Sequence, residues 1–373
     1  MVKKIRVGLL GGSGVYGWGG RAHAPAIAAL PEYELVAVGT SNPETAAKAA
    51  QDLNAPYGYS DYRELIANTE VDLVSVSVKA PLHYDMTVAA LEAGKSVFTE
   101  WPLGANSEEA AKMTNLAISK GLPNIVGLQS RVSPGLLHLK ELIDTGYIGT
   151  PLSCSMTMFL TGRERDSVNA WEGDRKQGGN VLTIHGGHSL DAIAFCIGDF
   201  TELSSYLTTQ VKKWHVQDTK EDVVVDAPDN ILVNGILESG CVVSAHIGST
   251  PGPASGWRIQ VFGSEGSLLG LSTLMLQYGD ISLYGARKEK VGDSYRYLGS
   301  GAFEEISIPN KHRFVPDSVP DGPPLNIAQL YRRLSNKILF DKPVQPDFEH
   351  ALKHHRLIDS IQDAAETGKV IKL

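Results

Sequence analysis

The spacing of apolar and polar residues changes part-way along this chain. Ile5–Leu10 (IRVGLL) is almost continuously apolar and ends in glycines, the pattern of a strand buried on both faces that runs into a turn. Helical and strand patterns then alternate. Ala22–Leu30 predicts a helix ended by Pro31, and Glu34–Gly39 a second buried strand. Asn42 can cap, and Pro43 can open, a helix reaching about Leu53. Tyr62–Ala67 predicts a short helix and Val71–Val78 a strand. His83–Ala93 predicts a helix stopped by Gly94, Ser96–Glu100 a strand, Ser107–Lys120 a helix closed by Gly121, and Asn124–Leu128 a strand. Such alternation is the signature of a doubly wound parallel sheet.

A helix Pro134–Thr145, closed by Gly146, follows. From Pro151 the period falls to two over long runs: Ser153–Leu160, Glu202–Val211, Asn230–Leu237, Cys241–Ile247 and Trp257–Phe262. These predict a mostly antiparallel sheet with one solvated face. A helix at His188–Cys196 interrupts them. The Gly-, Pro- and charge-rich stretch Asp280–Pro324 reads as long loops or a flap. Helices at Ile327–Leu339 and Phe348–Glu366 close the chain. The fold class is α/β, with a doubly wound domain over residues 1–128 and an α/β domain with a large open sheet over residues 129–373.

Composition narrows the function. The 373 residues, 42% hydrophobic and 20% charged, suit a globular protein with ample core, and the net charge of −8 argues against direct nucleic-acid binding. Cys154, Cys196 and Cys241 are odd in number and widely spaced, so reduced buried thiols are expected rather than disulfides. No apolar run spans a bilayer and no signal region opens the chain, so a cytoplasmic protein without membrane contact is expected. No metal is expected: His185 and His188 are close, but no cysteine or carboxylate set joins them.

The glycine run Gly11-Gly12-Ser13-Gly14-Val15-Tyr16-Gly17, followed by Trp18, lies where the first strand meets its helix. Glycines there let the backbone approach a pyrophosphate, and the helix N-terminus offers free N–H groups, which makes this a Rossmann-type dinucleotide loop. The loop is longer than a plain G-x-G-x-x-G turn requires. The second strand ends in Thr40-Ser41-Asn42 instead of the acidic residue that binds adenosine ribose. This favours NADP(H), with Arg21 as a phosphate partner and NAD(H) as the alternative; a plain helix-capping turn explains the same residues equally well. Ligands sit at the carboxyl edge of such sheets. Val78, Lys79, His83, Glu100, Trp101 and Gln129 are the remaining cofactor-contact candidates.

VGLLG, the HAPAI of His23–Ile27, VDLVSVSV with His83, the TEWPLG of Thr99–Gly104, the ELIDTGYIG of Glu141–Gly149, the GGHSLD of Gly186–Asp191 and the FGSEGSL of Phe262–Leu268 occur in one order. Together they resemble the Gfo/Idh/MocA oxidoreductases over nearly the whole chain. The lengthened loop with Gly17-Trp18, Trp101 and the run Gln129–Pro134 resemble the branch that holds the fungal galactose-regulon repressor. The resemblance implies a Rossmann domain, an open-sheet domain and assembly through that sheet, here as a homodimer. It also implies a lysine where Trp101 stands and an aspartate where Ile184 stands, so the family's usual proton machinery is missing.

Two readings follow. One is an NAD(P)-dependent oxidoreductase that moves hydride between nicotinamide and a small carbonyl, imine or sugar-like substrate. His188, Lys79 and His185 are its candidate proton donors, and Trp101, Arg131, Arg163, Trp171 and His188 its candidate substrate contacts. Asp191 is expected to orient or pack. The other is an inactive NAD(P)-binding regulator with a protein partner.

Overall fold

The strands β1 (Ile5–Leu10), β2 (Tyr33–Gly39), β3 (Tyr57–Tyr59), β4 (Leu73–Val76), β5 (Ser96–Glu100) and β6 (Asn124–Gly127) stand in the order 3-2-1-4-5-6, all parallel. The computed structural model describes residues 4–13, 17–162, 165–279, 281–291, 294–296 and 303–373; Gly14, Val15, Tyr16 and Arg163 lie outside them. The order turns back between β1 and β4, the switch point where such sheets open a ligand crevice. Helices α1 (Ala24–Ala29), α2 (Pro43–Asp52), α3 (Tyr62–Ala67), α4 (His83–Glu92) and α5 (Ser107–Lys120) connect the strands. Asn42, Asp61 and Asn106 cap α2, α3 and α5 with their side chains. The helix expected at Ala22–Leu30 begins earlier, as a π-helical turn over Gly19–His23 that passes into α1.

Helix α6 (Pro134–Asp144) leads to β7 (Pro151–Thr161), and α7 (Gly187–Ile197) precedes β8 (Phe200–Thr208). Two short strands, β9 (Lys213–His215) and β10 (Asp222–Val224), form a hairpin. The sheet continues with β11 (Asn230–Leu237), β12 (Val242–Thr250), β13 (Gly256–Gly263), β14 (Gly266–Ser272) and β15 (Ser282–Arg287). A second hairpin, β16 (Glu289–Val291) and β17 (Ser294–Arg296), precedes β18 (Glu304–Ile306); after α8 (Pro323–Phe340) and α9 (Phe348–Thr367) comes β19 (Ile371–Lys372).

The nine-stranded sheet has the order 18-15-14-13-7-12-11-8-19, antiparallel except where β12 runs parallel to β7. Along β12, Val243, Ala245 and Ile247 are buried while Val242 and Ser244 face outward, as period-two patterning requires. The loop-or-flap reading of Asp280–Pro324 is corrected in part. β15 and β18 extend the sheet there, with Leu283 buried, but each alternating run is too short to stand out among glycines and charges.

The chain divides into two compact units. The first comprises Met1–Gln129, Lys176–Gly179 and Phe314–Arg356, and the second Ser130–Arg175, Asn180–Arg313 and Leu357–Leu373. Helix α8 thus packs in the first unit, where Tyr331 is fully buried beside Phe98 and Tyr33. All three cysteines are free, buried thiols. Burial pushes the Cys196 thiol up to about 12 and the Cys154 thiol higher still. Among the described residues, no helix is long and apolar enough to cross a membrane.

Candidate functional site

The turn after β1 is built on close backbone approach. Gly11 donates its N–H to Gly39 O at 2.9 Å and has φ +86°, a conformation that favours glycine. A Cβ on Gly11 would lie 2.0 Å from Ser77 O, and one on Gly19 would lie 2.5 Å from Gly11 O. No side chain fits at either crossing. Gly12 is buried, Ser13 is exposed, and Gly17 and Trp18 are half-buried. Arg21 is exposed, its guanidinium 6.0 Å from the Trp18 ring centroid.

At the end of β2, Asn42 Oδ1 accepts from Thr45 N–H at 2.9 Å, and the Thr40 and Thr45 hydroxyls lie 2.7 Å apart. Ser41 and Asn42 are exposed. These contacts make a helix-capping turn.

The carboxyl ends of β4, β5 and β6 carry a buried polar set. Tyr331 donates to Ser75 Oγ at 2.9 Å, Ser75 Oγ lies 3.1 Å from His23 Nδ1, and His23 Nε2 lies 2.9 Å from Glu100 Oε1. Burial raises the Glu100 carboxyl, opposed by its hydrogen bonds with His23 and Gln129. Among the described residues, Ser77 Oγ and Gln129 Oε1 are buried without a hydrogen-bond partner. Val78 and Lys79 follow Ser77 and are half-buried.

His83, at the start of α4, is buried, with Nδ1 2.7 Å from Pro102 O and Nε2 3.1 Å from Val78 O. It ties the segment after β4 to the segment after β5, and burial lowers its pKa. Trp101 is 5% exposed, and its ring packs on His354 and His355 of α9, with centroids 4.8 and 4.7 Å away.

In the second unit, Asn180 caps a π-helical turn, Val181–Gly186, that runs into α7. This turn carries the half-buried His185, and the first turn of α7 carries His188, 3% exposed. Asp191, one turn on, is fully buried and accepts from Arg131 Nε at 2.6 Å. The Arg131 guanidinium also lies 5.0 Å from the Phe195 ring centroid. Of the expected substrate contacts, Arg131 is thus paired with Asp191. Among the described residues, Trp171 Nε1 is buried without a hydrogen-bond partner, which leaves a donor for a ligand oxygen. A cleft of about 250 Å³ is lined by Arg165, Val181, Trp214, His215 and Asp229 among others.

The sequence reading did not single out Ser75, Ser77, Tyr331, His354 or His355. His23 stood in a quoted motif without a role. No local pattern links His23, Ser75, Tyr331, His354 or His355 to the partners described above, because those partners lie on distant segments.

Two family profiles match the chain. One, described as an oxidoreductase family with an NAD-binding Rossmann fold (Gfo/Idh/MocA), matches residues 5–128; the other, the Gal80p C-terminal domain, matches residues 134–270. The dehydrogenase aclE of Aspergillus oryzae is 33% identical over 91% of this chain and 88% of its own length. The chain belongs to the Gfo/Idh/MocA oxidoreductase family. Its relatives in that family include the galactose/lactose metabolism regulatory protein of Saccharomyces cerevisiae, 23% identical over 99% of this chain and 94% of that protein. A levoglucosan dehydrogenase structure, solved with NADH and levoglucosan, shares the fold with a TM-score of 0.85 at 23% identity, covering 99% of both chains.

A dinucleotide suits the residues present. The Gly11 and Gly19 crossings press backbone against backbone with no room for a side chain, the close approach that a dinucleotide turn requires. Ser77 Oγ and Gln129 Oε1 are buried polar atoms that a bound group with donors could satisfy.

Proposed function

We propose that this protein is an NAD(P)-dependent oxidoreductase acting on a small carbonyl, imine or sugar-like substrate through a variant proton route. The observation that carries this reading is that Ser77 Oγ, after β4, and Gln129 Oε1, after β6, are buried without a hydrogen-bond partner among the described residues, with Ser77 O facing Gly11 across the turn after β1. Unsatisfied buried polar groups are costly, and such sites are functional candidates. When bound, the dinucleotide supplies or accepts hydride at its nicotinamide C4. Gly11, Gly12, Ser13, Gly17 and Trp18 would hold its phosphates, while Ser77 and Gln129 would orient the nicotinamide end.

Trp101 and Ile184 have no titratable atom, so neither can move the compensating proton. His188 takes that role at the substrate oxygen or nitrogen, with Lys79 and His185 as the alternative donors. The buried Arg131–Asp191 ion pair fixes the helix on which His188 sits. Trp171 Nε1 donates to the substrate.

NADP(H) is the expected cofactor, since no carboxylate at the end of β2 repels a 2′-phosphate. NAD(H) is the alternative, because Asn42 and Thr40 are engaged in capping α2. A fluorescence titration with NADPH and NADH decides this; tighter NADH binding overturns the preference. Turnover is tested by following NADPH and NADH oxidation against carbonyls, imines and sugars. His188→Ala is expected to lower kcat by about 100-fold or more; full turnover in both His188→Ala and Lys79→Ala removes the proton assignment.

The second reading, a regulator that binds NAD(P) without turnover, is favoured by the packing of Trp101 against His354 and His355 where the family carries an acid–base lysine. Tight dinucleotide binding with no oxidation of any substrate class selects it. Assembly as a homodimer through the open sheet is part of either reading. It is supported by outward-facing Tyr206, Leu232, Ile236, Val242 and Phe262 on β8, β11, β12 and β13. Sedimentation of wild type and Tyr206→Asp tests it; a monomeric wild type refutes it.

A further inference from the structure

We infer that His138, Glu141 and His312 form a binding site for one divalent transition-metal ion, zinc foremost. The three lie within the second unit, away from the strand ends and from His188 in sequence, and no role above uses them. Helix α6 presents His138 and Glu141 at i and i+3, on one face. His312 comes from a 3₁₀ turn, Asn310–His312, that packs on α6.

The geometry carries the assignment. His138 Nδ1 lies 3.2 Å from Glu141 Oε2, His312 Nε2 lies 3.0 Å from the same oxygen, and the two ring nitrogens are 3.3 Å apart. A tetrahedral zinc ion with bonds of 2.0–2.1 Å holds its ligand atoms about 3.3 Å apart. The three atoms therefore already form nearly one face of such a tetrahedron. Two imidazoles and a carboxylate suit zinc and its first-row neighbours, not magnesium or calcium.

The surroundings fit as well. Lys311 binds the other carboxylate oxygen, Oε1, leaving Oε2 free to act as a single ligand and orienting it, as outer-shell partners of metal ligands do. The side chains of His138 and His312 are 10% and 12% exposed and that of Glu141 is 32% exposed, which leaves a path from solvent on the carboxylate side. With three protein ligands, the fourth position falls to water. The bound ion clips α6 to the turn at Asn310–His312.

The test uses the full chain, stripped by chelation and dialysis. Zn²⁺ is titrated by calorimetry, and Co²⁺ is added as a spectroscopic probe. The expected result is about one ion per chain, a rise in melting temperature with Zn²⁺, and the visible absorption of tetrahedral Co²⁺. Glu141→Gln should bind 10- to 100-fold more weakly and His312→Ala should lose the Co²⁺ spectrum, by the roughly 10- to 100-fold cost of altered metal-site partners. Circular dichroism checks that both variants stay folded. A flat Zn²⁺ titration of wild type overturns the site. So does equal affinity in the variants, and the cluster is then two imidazoles donating to one carboxylate.

Discussion

His23 Nε2 lies 2.9 Å from Glu100 Oε1, with the imidazole fully buried and the glutamate 8% exposed. The chain Tyr331–Ser75–His23–Glu100 sends each donor to the next acceptor and ends on the carboxylate. A buried acid is tolerated at these strand ends because hydrogen bonds replace its water.

Tyr331→Phe keeps the ring against Phe98 and Tyr33 but removes the hydroxyl that serves Ser75 and His23. Leaving buried partners unsatisfied should lower stability by about 1–3 kcal/mol. The measurement is urea unfolding followed by circular dichroism. An unchanged midpoint would show that the network contributes little.

Gly11→Ala places a methyl group 2.0 Å from Ser77 O at φ +86°. The turn must open, and dinucleotide affinity should fall by about 10-fold or more, a loss of about 1.4 kcal/mol. NADPH fluorescence titration of the folded variant checks this. Binding equal to wild type counts against the phosphate role of this turn.

The Arg131–Asp191 pair has side chains 11% and 0% exposed. Asp191→Ala should cost about 3–5 kcal/mol, because it leaves a mostly buried guanidinium uncompensated. The double variant Arg131→Met/Asp191→Leu should recover much of that loss. A double-mutant cycle on thermal unfolding reads the coupling.

Burial drives His355 down to about 3 from an ordinary value of 6.5, and the neutral Nε2 accepts from Gly104 N–H at 3.5 Å. Between those two pH values the unfolded chain binds the extra proton and the folded chain does not. The stability is therefore complete above pH 6.5 and is lost as pH falls toward 3. The loss is on the order of 5 kcal/mol. Melting temperatures should hold from pH 8 to about pH 6.5 and fall steadily from there to pH 4.5, less steeply in His355→Met.

Cys196 and Cys154 have thiols pushed far above neutrality by burial, and Cys241 is also raised by burial. The folded protein should react with a thiol reagent at pH 8 only slowly, and all three thiols should react at once in denaturant. Rapid reaction of the native protein would contradict their burial.

Local signals were enough for much of the fold. β1, α3, β5 and α5 have the bounds that apolar runs, caps and glycine stops predict. β3 was invisible because two of its three residues are exposed, so no apolar run marks it. The glycine turn was legible because close backbone crossing demands glycine in sequence. The acid network was not, because Tyr331 reaches His23 across 308 positions. The same reason hid the histidine cluster: His138 and Glu141 are neighbours on a helix, but His312 comes 171 positions after Glu141. Trp101 was read as a contact for ligand, and its packing on His354 and His355 depends on α9, far along the chain.

The first unit draws its strands from the beginning of the chain and the helix bearing Tyr331 from near its end. Protein domains usually fold in the order in which they leave the ribosome. Here the nascent sheet emerges with Glu100 and His23 but without the hydroxyl that completes their network. It must wait while the strands of the second unit are made. A chain arrested at Gln129 should therefore hold an unfinished centre, and proteolysis of stalled nascent chains would find β1–β6 protected only after Phe314–Arg356 has been translated.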